Sequence, residues 1–253
     1  MYFTATADTD IGISRQTNQD SLLIKHGTFS GGEVLLAAVC DGMGGLSNGE
    51  LASATVVRAF DRWFDDELSG ELGKTDMYAI GEKWALMLRE LNGKIGDYAR
   101  DNALSMGTTF SGVLLVNGEF VIAHVGDSRI YKVGDPMEQL TTDHTFVARE
   151  VSMGRMTREQ AMLDRRRNLL LQCVGASAVI QPEVITGRLE KGGYLLCSDG
   201  FRHEISDKEM YAALKPGNLT DKKTMHRRAR ELIELVKSRQ EKDNISVILI
   251  KVE

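Results

Sequence analysis

The stretch Asp41-Gly42-Met43-Gly44-Gly45 follows an apolar run over residues 34–40 that reads as a buried strand. Three glycines within four residues cost backbone entropy, and that density implies positive φ angles or a close backbone approach. A carboxylate and a bare main-chain carbonyl at a strand end can hold a hard metal ion; the same five residues also read as a glycine-rich turn with a solvated Asp. Four more aspartates share the setting. Asp20 ends Arg15-Gln16-Thr17-Asn18-Gln19-Asp20 just before a strand, and Asp127 lies between two strands in Gly126-Asp127-Ser128-Arg129. Asp199 follows an apolar run in Ser198-Asp199-Gly200, and Asp243 precedes Asn244 and the last strand. One such Asp is most simply a turn former or a cap. Five in matching contexts point to carboxylates that converge and need a cation to offset their repulsion. An all-oxygen set suits Mg²⁺ or Mn²⁺ rather than zinc, and neither an HxxH pair nor a Cys/His cluster argues for zinc. The chain has no CxxxxxR run for a cysteine nucleophile and no DxDx[TV] run for an aspartyl one.

The elements that must carry these acids follow from hydrophobic period. Residues 2–8, 21–25 and 33–40 read as strands, the last two joined at Gly31-Gly32. Residues 48–68 and 76–102 switch to helical spacing, and the stripe Ile80, Trp84, Met87, Leu88, Leu91, Ile95 and Tyr98 reads as core. Strands return at 108–116, 120–125 and 129–133, with Asn117-Gly118 as a hairpin signal. Residues 141–168 are polar and arginine-rich, with short helical pieces only. Strands are expected again at 169–174, 179–189 and 194–197, then a helix at 221–240 and a closing strand at 245–252. Strands, two helices, strands, helix, strand is not the regular alternation of a doubly wound sheet. The expected fold is α+β: a sandwich of two mostly antiparallel β-sheets flanked by α-helices, four layers in one domain over residues 1–253.

With these residues in order, the chain resembles the metal-dependent protein phosphatases of type 2C, in their bacterial form, over nearly its whole length. The match runs through Gly12, Arg15, Asn18 and Asp20, Asp41 to Gly45, Gly107-Thr108-Thr109, Gly126-Asp127-Ser128-Arg129, and Leu140-Thr141-Thr142-Asp143-His144. It ends with Ser198-Asp199-Gly200 and Asp243-Asn244. Each piece is weak alone; their order and spacing are specific. The resemblance implies hydrolysis of phosphoserine and phosphothreonine in proteins, with hydroxide bridging two Mn²⁺ or Mg²⁺ ions attacking phosphorus directly. Asp41 would bridge the ions, with the Gly42 carbonyl on the second; Asp199 and Asp243 would complete the first, and Asp20 would hold bound water. Bacterial members often take a third ion, for which Asp127 and Asp199 are the matching acids. Arg15 would clamp the phosphate, since its planar fork suits phosphate oxygens. Residues 141–168 match the family's variable flap, whose Arg165, Arg166 and Arg167 read either as a solvated face or as recognition of acidic phosphopeptides.

Two positions depart from the pattern. Gln19 stands where many members have Glu, which removes a charge near the second ion. Met43 stands where eukaryotic members often have a His that protonates the leaving group. Met cannot do so; metal-bound water is the expected proton source, with His144 and His203 as weaker candidates.

Composition narrows the alternatives. A net charge of -5 gives no basic footprint for nucleic acid, and 42% hydrophobic with 26% charged residues is ordinary for a globular chain. Cys40, Cys173 and Cys197 lie in apolar contexts, as expected of small buried hydrophobes in a reducing compartment. No run reaches a membrane span and no secretory leader is visible, so a cytoplasmic monomer is expected. Its expected partners are phosphorylated proteins and, through them, an opposing Ser/Thr protein kinase. The rival readings are a catalytically weak family member that binds phosphoproteins, and a hydrolase of small phosphate esters.

Overall fold

The computed structural model of the chain describes residues 1–44 and 48–253, so Gly45 of the glycine run lies outside the described residues. In chain order the strands are β1 (Phe3–Asp10), β2 (Ser21–Phe29), β3 (Gly32–Cys40) and β4 (Gly42–Gly44), followed by helices α1 (Gly49–Asp66), α2 (Leu68–Glu71) and α3 (Met77–Asp101). Strands β5 (Met106–Thr108), β6 (Phe110–Val116), β7 (Glu119–Val125), β8 (Arg129–Val133) and β9 (Glu138–Gln139) come next. Helices α4 (Phe146–Ser152) and α5 (Arg158–Leu163) lie in the arginine-rich stretch. The chain closes with β10 (Glu183–Arg188), β11 (Gly192–Cys197), α6 (Asp199–Arg202), α7 (Asp207–Leu214), α8 (Lys222–Ser238) and β12 (Ile245–Val252).

Two antiparallel sheets carry the fold, in strand orders β1-β12-β11-β8-β9 and β10-β7-β6-β3-β2. Strand β3 shows why its sequence lacks alternation. Leu35, Ala37 and Val39 face the opposite sheet and pack with Val113, Ile130, Leu196 and Ile248. Its alternate residues Leu36, Ala38 and Cys40 face α1 and α3, among Phe60, Trp63, Trp84 and Phe110. A strand buried on both faces must be apolar throughout. The aromatic group is edge-to-face, with Trp84 ring centroids 5.1 Å from Phe60 and 5.2 Å from Trp63. Such pairs add roughly 0.5–1.5 kcal/mol each beyond their buried area. On the far side, α7 and α8 cover the first sheet through Met210, Leu214, Ile233 and Val236 against Val247 and Leu249. The four-layer α+β architecture expected from the sequence is the one observed.

The differences are local. Residues 169–174 form no strand; Leu170 and Val174 make single bridges to Thr145 and Thr108. Leu169 and Leu171 are exposed, and an apolar run becomes a strand only where a sheet edge accepts it. The strand expected at 179–189 shortens to β10, and Tyr98 turns outward from the buried face of α3. Helix α7 was legible in principle: Ser206 and Glu209 form a capping box at its start. Among the described residues no helix is long and apolar enough to cross a membrane.

Candidate metal centre

Strand register brings the five acids together. The β2–β3 ladder ends at the pair Ser21↔Cys40, which sets Asp20 and Asp41 side by side just beyond it. In the other sheet Cys197 pairs with both Arg129 and Val247, so β8, β11 and β12 end level. Asp127, Asp199 and Asp243 then lie a few residues past that common edge.

Short hydrogen bonds fix the loops. The Asp41 N–H donates to Thr109 Oγ1 (2.9 Å), and the Asp41 carbonyl accepts from the Thr109 N–H (2.8 Å) and from Thr108 Oγ1 (3.0 Å). Thr109 Oγ1 also meets Ser128 Oγ at 2.7 Å, which ties the Asp41 loop to the one carrying Asp127. Asn244 accepts the Gln19 N–H (2.9 Å) and donates to the carbonyls of Ile11 (2.9 Å) and Thr17 (3.2 Å), clamping the segment before Asp20 onto Asp243. Glu241 Oε1 takes the N–H groups of Lys242 (2.7 Å) and Asp243 (2.9 Å) and turns the chain to present Asp243. Two glycines are required by backbone crossings. A Cβ on Gly200 would collide with the Asn244 carbonyl, and one on Gly42 with the carbonyls of Gln19 and Gly49.

The electrostatics match a set of acids held against one another. Burial pushes the Asp41 carboxyl well above the usual carboxylate range, and Asp20, Asp199, Asp127 and Asp243 add to the shift. Asp20 is likewise raised by burial, with Asp199 and Asp243 reinforcing it; the Ser246 and Ser198 hydroxyls nearby oppose the rise but lie outside hydrogen-bond geometry. Asp127 is raised by burial and by Asp199, although Arg202 works the other way. Both oxygens of Asp20 and Oδ1 of Asp199 are buried without a hydrogen-bond partner among the described residues. Unpartnered buried carboxylate oxygens in an all-oxygen set fit hard divalent cations. Asp41, Asp199 and Asp243 could hold ions directly, and Asp127 stands beside them.

The other expected residues distribute differently. Arg15 reaches the centre, where its fork donates to Asp243 through Nε (2.9 Å) and Nη2 (2.7 Å) while the side chain stays half exposed. Gln19 donates to Glu50 Oε2 at 3.4 Å, so a carboxylate adjoins the position that lacks one. Of the flap arginines, Arg166 pairs with Asp164 (2.8 Å) and lies 4.2 Å from the Phe146 ring centroid, and Arg167 donates to the Met162 carbonyl (3.3 Å). Arg165 is exposed.

Both candidate histidines have other work. His203 stands 3.6 Å from Asp199 and 3.5 Å from Glu241. Burial opposes its charge, but the two carboxylates outweigh burial and its pKa is raised. His144 Nδ1 accepts the Gly126 N–H (3.2 Å). His144 also belongs to a cluster invisible in sequence, with His124 and Glu183 offering ligand atoms within 4.8 Å of one another. Hydrogen bonding accounts for that cluster. The Thr142 carbonyl can only accept, so His124 Nε2 (3.1 Å away) carries the proton, and Nδ1 meets Ser111 Oγ at 2.9 Å. Burial lowers the His124 pKa to about 3, which keeps the ring neutral. Glu183 accepts the Thr142 N–H and hydroxyl, both at 2.9 Å.

Sequence reasoning missed Arg202 and Glu241. Arg202 immediately follows the Ser198-Asp199-Gly200-Phe201 run, a signal that was present; Glu241 had none.

A sandwich of this kind, with acids gathered at one end, makes a site suited to hard divalent cations. The comparisons narrow the class. The family model described as Protein phosphatase 2C matches residues 13–245. The serine/threonine phosphatase stp of Listeria innocua is 32% identical over 250 residues, 96% of this chain and 93% of that protein. The structure of serine/threonine phosphatase Stp1 from Staphylococcus aureus superposes with a TM-score of 0.85 at 30% identity, covering 100% of this chain and 96% of that one. The catalytic domain of serine threonine protein phosphatase PstP, solved with two manganese ions, gives a TM-score of 0.76 at 29% identity over 98% of this chain and 97% of that one. The chain belongs to the protein phosphatase 2C family.

Proposed function

We propose that this chain hydrolyses phosphoserine and phosphothreonine in proteins and thereby opposes a Ser/Thr protein kinase. The observation that carries the reading is the convergence of five aspartates, of which Asp20 and Asp199 keep buried oxygens with no hydrogen-bond partner among the described residues, in a chain of the protein phosphatase 2C family. Relatives of similar length bear the name serine/threonine phosphatase, and PstP was solved with two manganese ions.

Asp41 and the Gly42 carbonyl, with Asp199 and Asp243, would hold two Mn²⁺ or Mg²⁺ ions, and Asp127 with Asp199 a third. When bound, these ions lower the pKa of water and draw charge from the phosphoryl oxygens. Asp20 orients water from behind the ligands. Water attacks phosphorus in line: a new P–O bond forms, the bond to the serine or threonine Oγ breaks, the attacking water gives up one proton and Oγ takes one up, so the products are the free hydroxyl and phosphate. Arg15 spreads the developing charge on the phosphoryl oxygens, and to do so it must turn its fork from Asp243 toward the substrate. Met43 supplies no proton. Arg165 and Arg167 are the flap cations left for an acidic peptide, because Arg166 is held by Asp164 and Phe146.

The test is phosphate release from a phosphoserine peptide with Mn²⁺, with a chelator, and with free phosphoserine or a nucleotide as competing substrates. Turnover should require the metal and favour the peptide. Metal-independent turnover, or equal rates on the small esters, would refute the reading.

A further inference from the structure

Arg202 sits against Asp127 in a way that the proposed reaction does not use. Its Nη2 donates to the Asp127 carbonyl at 3.1 Å and reaches Asp127 Oδ2 at 3.5 Å and Asp143 Oδ2 at 3.7 Å. The Arg202 side chain is only 13% exposed, that of Asp127 6% and that of Asp143 10%. Asp143 already accepts a two-pronged contact from Arg129, Nε at 2.8 Å and Nη2 at 2.7 Å. Two arginines and two aspartates thus form a buried, formally neutral group. Among the described residues Asp41, Asp20, Asp199 and Asp243 have no comparable buried guanidinium; the exposed Arg15 reaches Asp243.

The way Arg202 is held bears on its role. One nitrogen makes all of these contacts, and Nε is buried without a hydrogen-bond partner among the described residues. A guanidinium kept as scaffold would be held through its fork. Here the contact with the Asp127 carboxylate is long and single, and what Arg202 contributes is its charge. The position of that charge matters because Arg202 ends the short helix that Asp199 begins, and Asp127 and Asp199 lie just past the level ends of β8 and β11. A divalent ion between them would meet a fixed positive charge already paired with Asp127.

We propose that Arg202 is an internal cation that weakens the third ion site and leaves the chain a two-ion enzyme at working metal concentrations. The inference rests on the assignment of Asp127 and Asp199 to a third ion made above. A unit charge near a divalent ion in a half-buried site changes affinity by about ten- to a hundredfold.

The test is Mn²⁺ binding by equilibrium dialysis with elemental analysis, and by the electron paramagnetic resonance of free Mn²⁺, on the full chain. Wild type should show two tight sites and a third that is weaker. Arg202→Met should tighten the third about ten- to a hundredfold and leave the first two unchanged, and adding Asp127→Asn should remove the gain. Arg202→Lys, which keeps charge but not the fork, should bind like wild type, and it serves as the folded control if Arg202→Met loses structure by circular dichroism. A third site unchanged or weaker in folded Arg202→Met, or tightened in Arg202→Lys, would overturn the proposal. Absence of the two tight sites in wild type would overturn the metal-centre reading itself, and this inference with it.

Discussion

Asp41→Asn removes one negative charge from the centre while keeping shape. Among the described residues the hydrogen bonds of Asp41 all come from its backbone, so those contacts do not depend on its carboxylate. In the metal-free protein that carboxylate is a source of strain. Asp20 and Asp127 are each lifted to about 7 from 3.8. A raised carboxyl contributes stability below its unfolded pKa and loses it as pH rises through the folded value, so near pH 8 the metal-free protein has lost that contribution in full. An uncompensated buried charge costs about 3–5 kcal/mol, and Asp41 is partly open to solvent, so relief from Asp41→Asn amounts to roughly 2–4 kcal/mol. For a chain of this size that raises Tm by about 5–10 °C. The assay is thermal unfolding near pH 8 with chelator and with Mn²⁺, beside turnover of a phosphoserine peptide. Wild type should gain stability from Mn²⁺ by mass action. The variant should start higher, gain little and lose at least about a thousandfold in turnover, as loss of the metals' charge stabilisation demands. A variant that keeps turnover, keeps the Mn²⁺ response, or melts lower than wild type in chelator would refute the reasoning.

Three further outcomes follow from the same geometry. Metal binding must displace protons from Asp20 and Asp127, whose pKa values lie at about 7, so the Mn²⁺-induced rise in Tm should shrink as pH falls from about 8 to about 5.5; a pH-independent rise would count against the raised carboxyls. Gly200→Ala should cut turnover by about a hundredfold and weaken Mn²⁺ binding, because its Cβ would push the Asp199 turn off the Asn244 carbonyl; normal kinetics would show that the crossing can relax. Arg15→Lys keeps a charge but loses the fork, and should raise KM for phosphopeptide about tenfold with a smaller change in kcat; an unchanged KM would remove Arg15 from substrate binding.

Much of the centre was legible because the acids sit where apolar strand runs end or begin. The runs before Asp41 and Asp199 and the run after Asp243 each mark a strand edge, and an Asp at such an edge is visible without knowing which strands pair. Pairing was not legible. That Cys197 lies opposite both Arg129 and Val247 is a long-range register, and it is this that makes Asp127, Asp199 and Asp243 neighbours. The stretch 169–174 misled for the same reason: its apolar run was real, but it makes only single bridges rather than joining a sheet edge. His124 and Glu183 meet only because β7 and β10 pair residue for residue, and nothing in the local sequence of either signals the other.

Charge separates this centre from a plain metal cradle. Arg15 enters it from an exposed loop and can move, because among the described residues only the Asp243 side chain holds it. Arg202 enters from the short helix α6 and cannot move far, packed beneath Asp127 and Asp143 with Arg129 alongside. One cation is therefore free to follow a phosphate and the other is fixed where an ion would otherwise go. The same division bears on the leaving group. Met43 has no proton to give, His144 spends its Nδ1 on the Gly126 N–H, and His203 is held between Asp199 and Glu241. Among the described residues these leave no acid with a free path to the substrate oxygen. On the proposed mechanism the proton arrives with water ordered by the aspartates, and on the proposal for Arg202 its charge sets how many ions help to order that water.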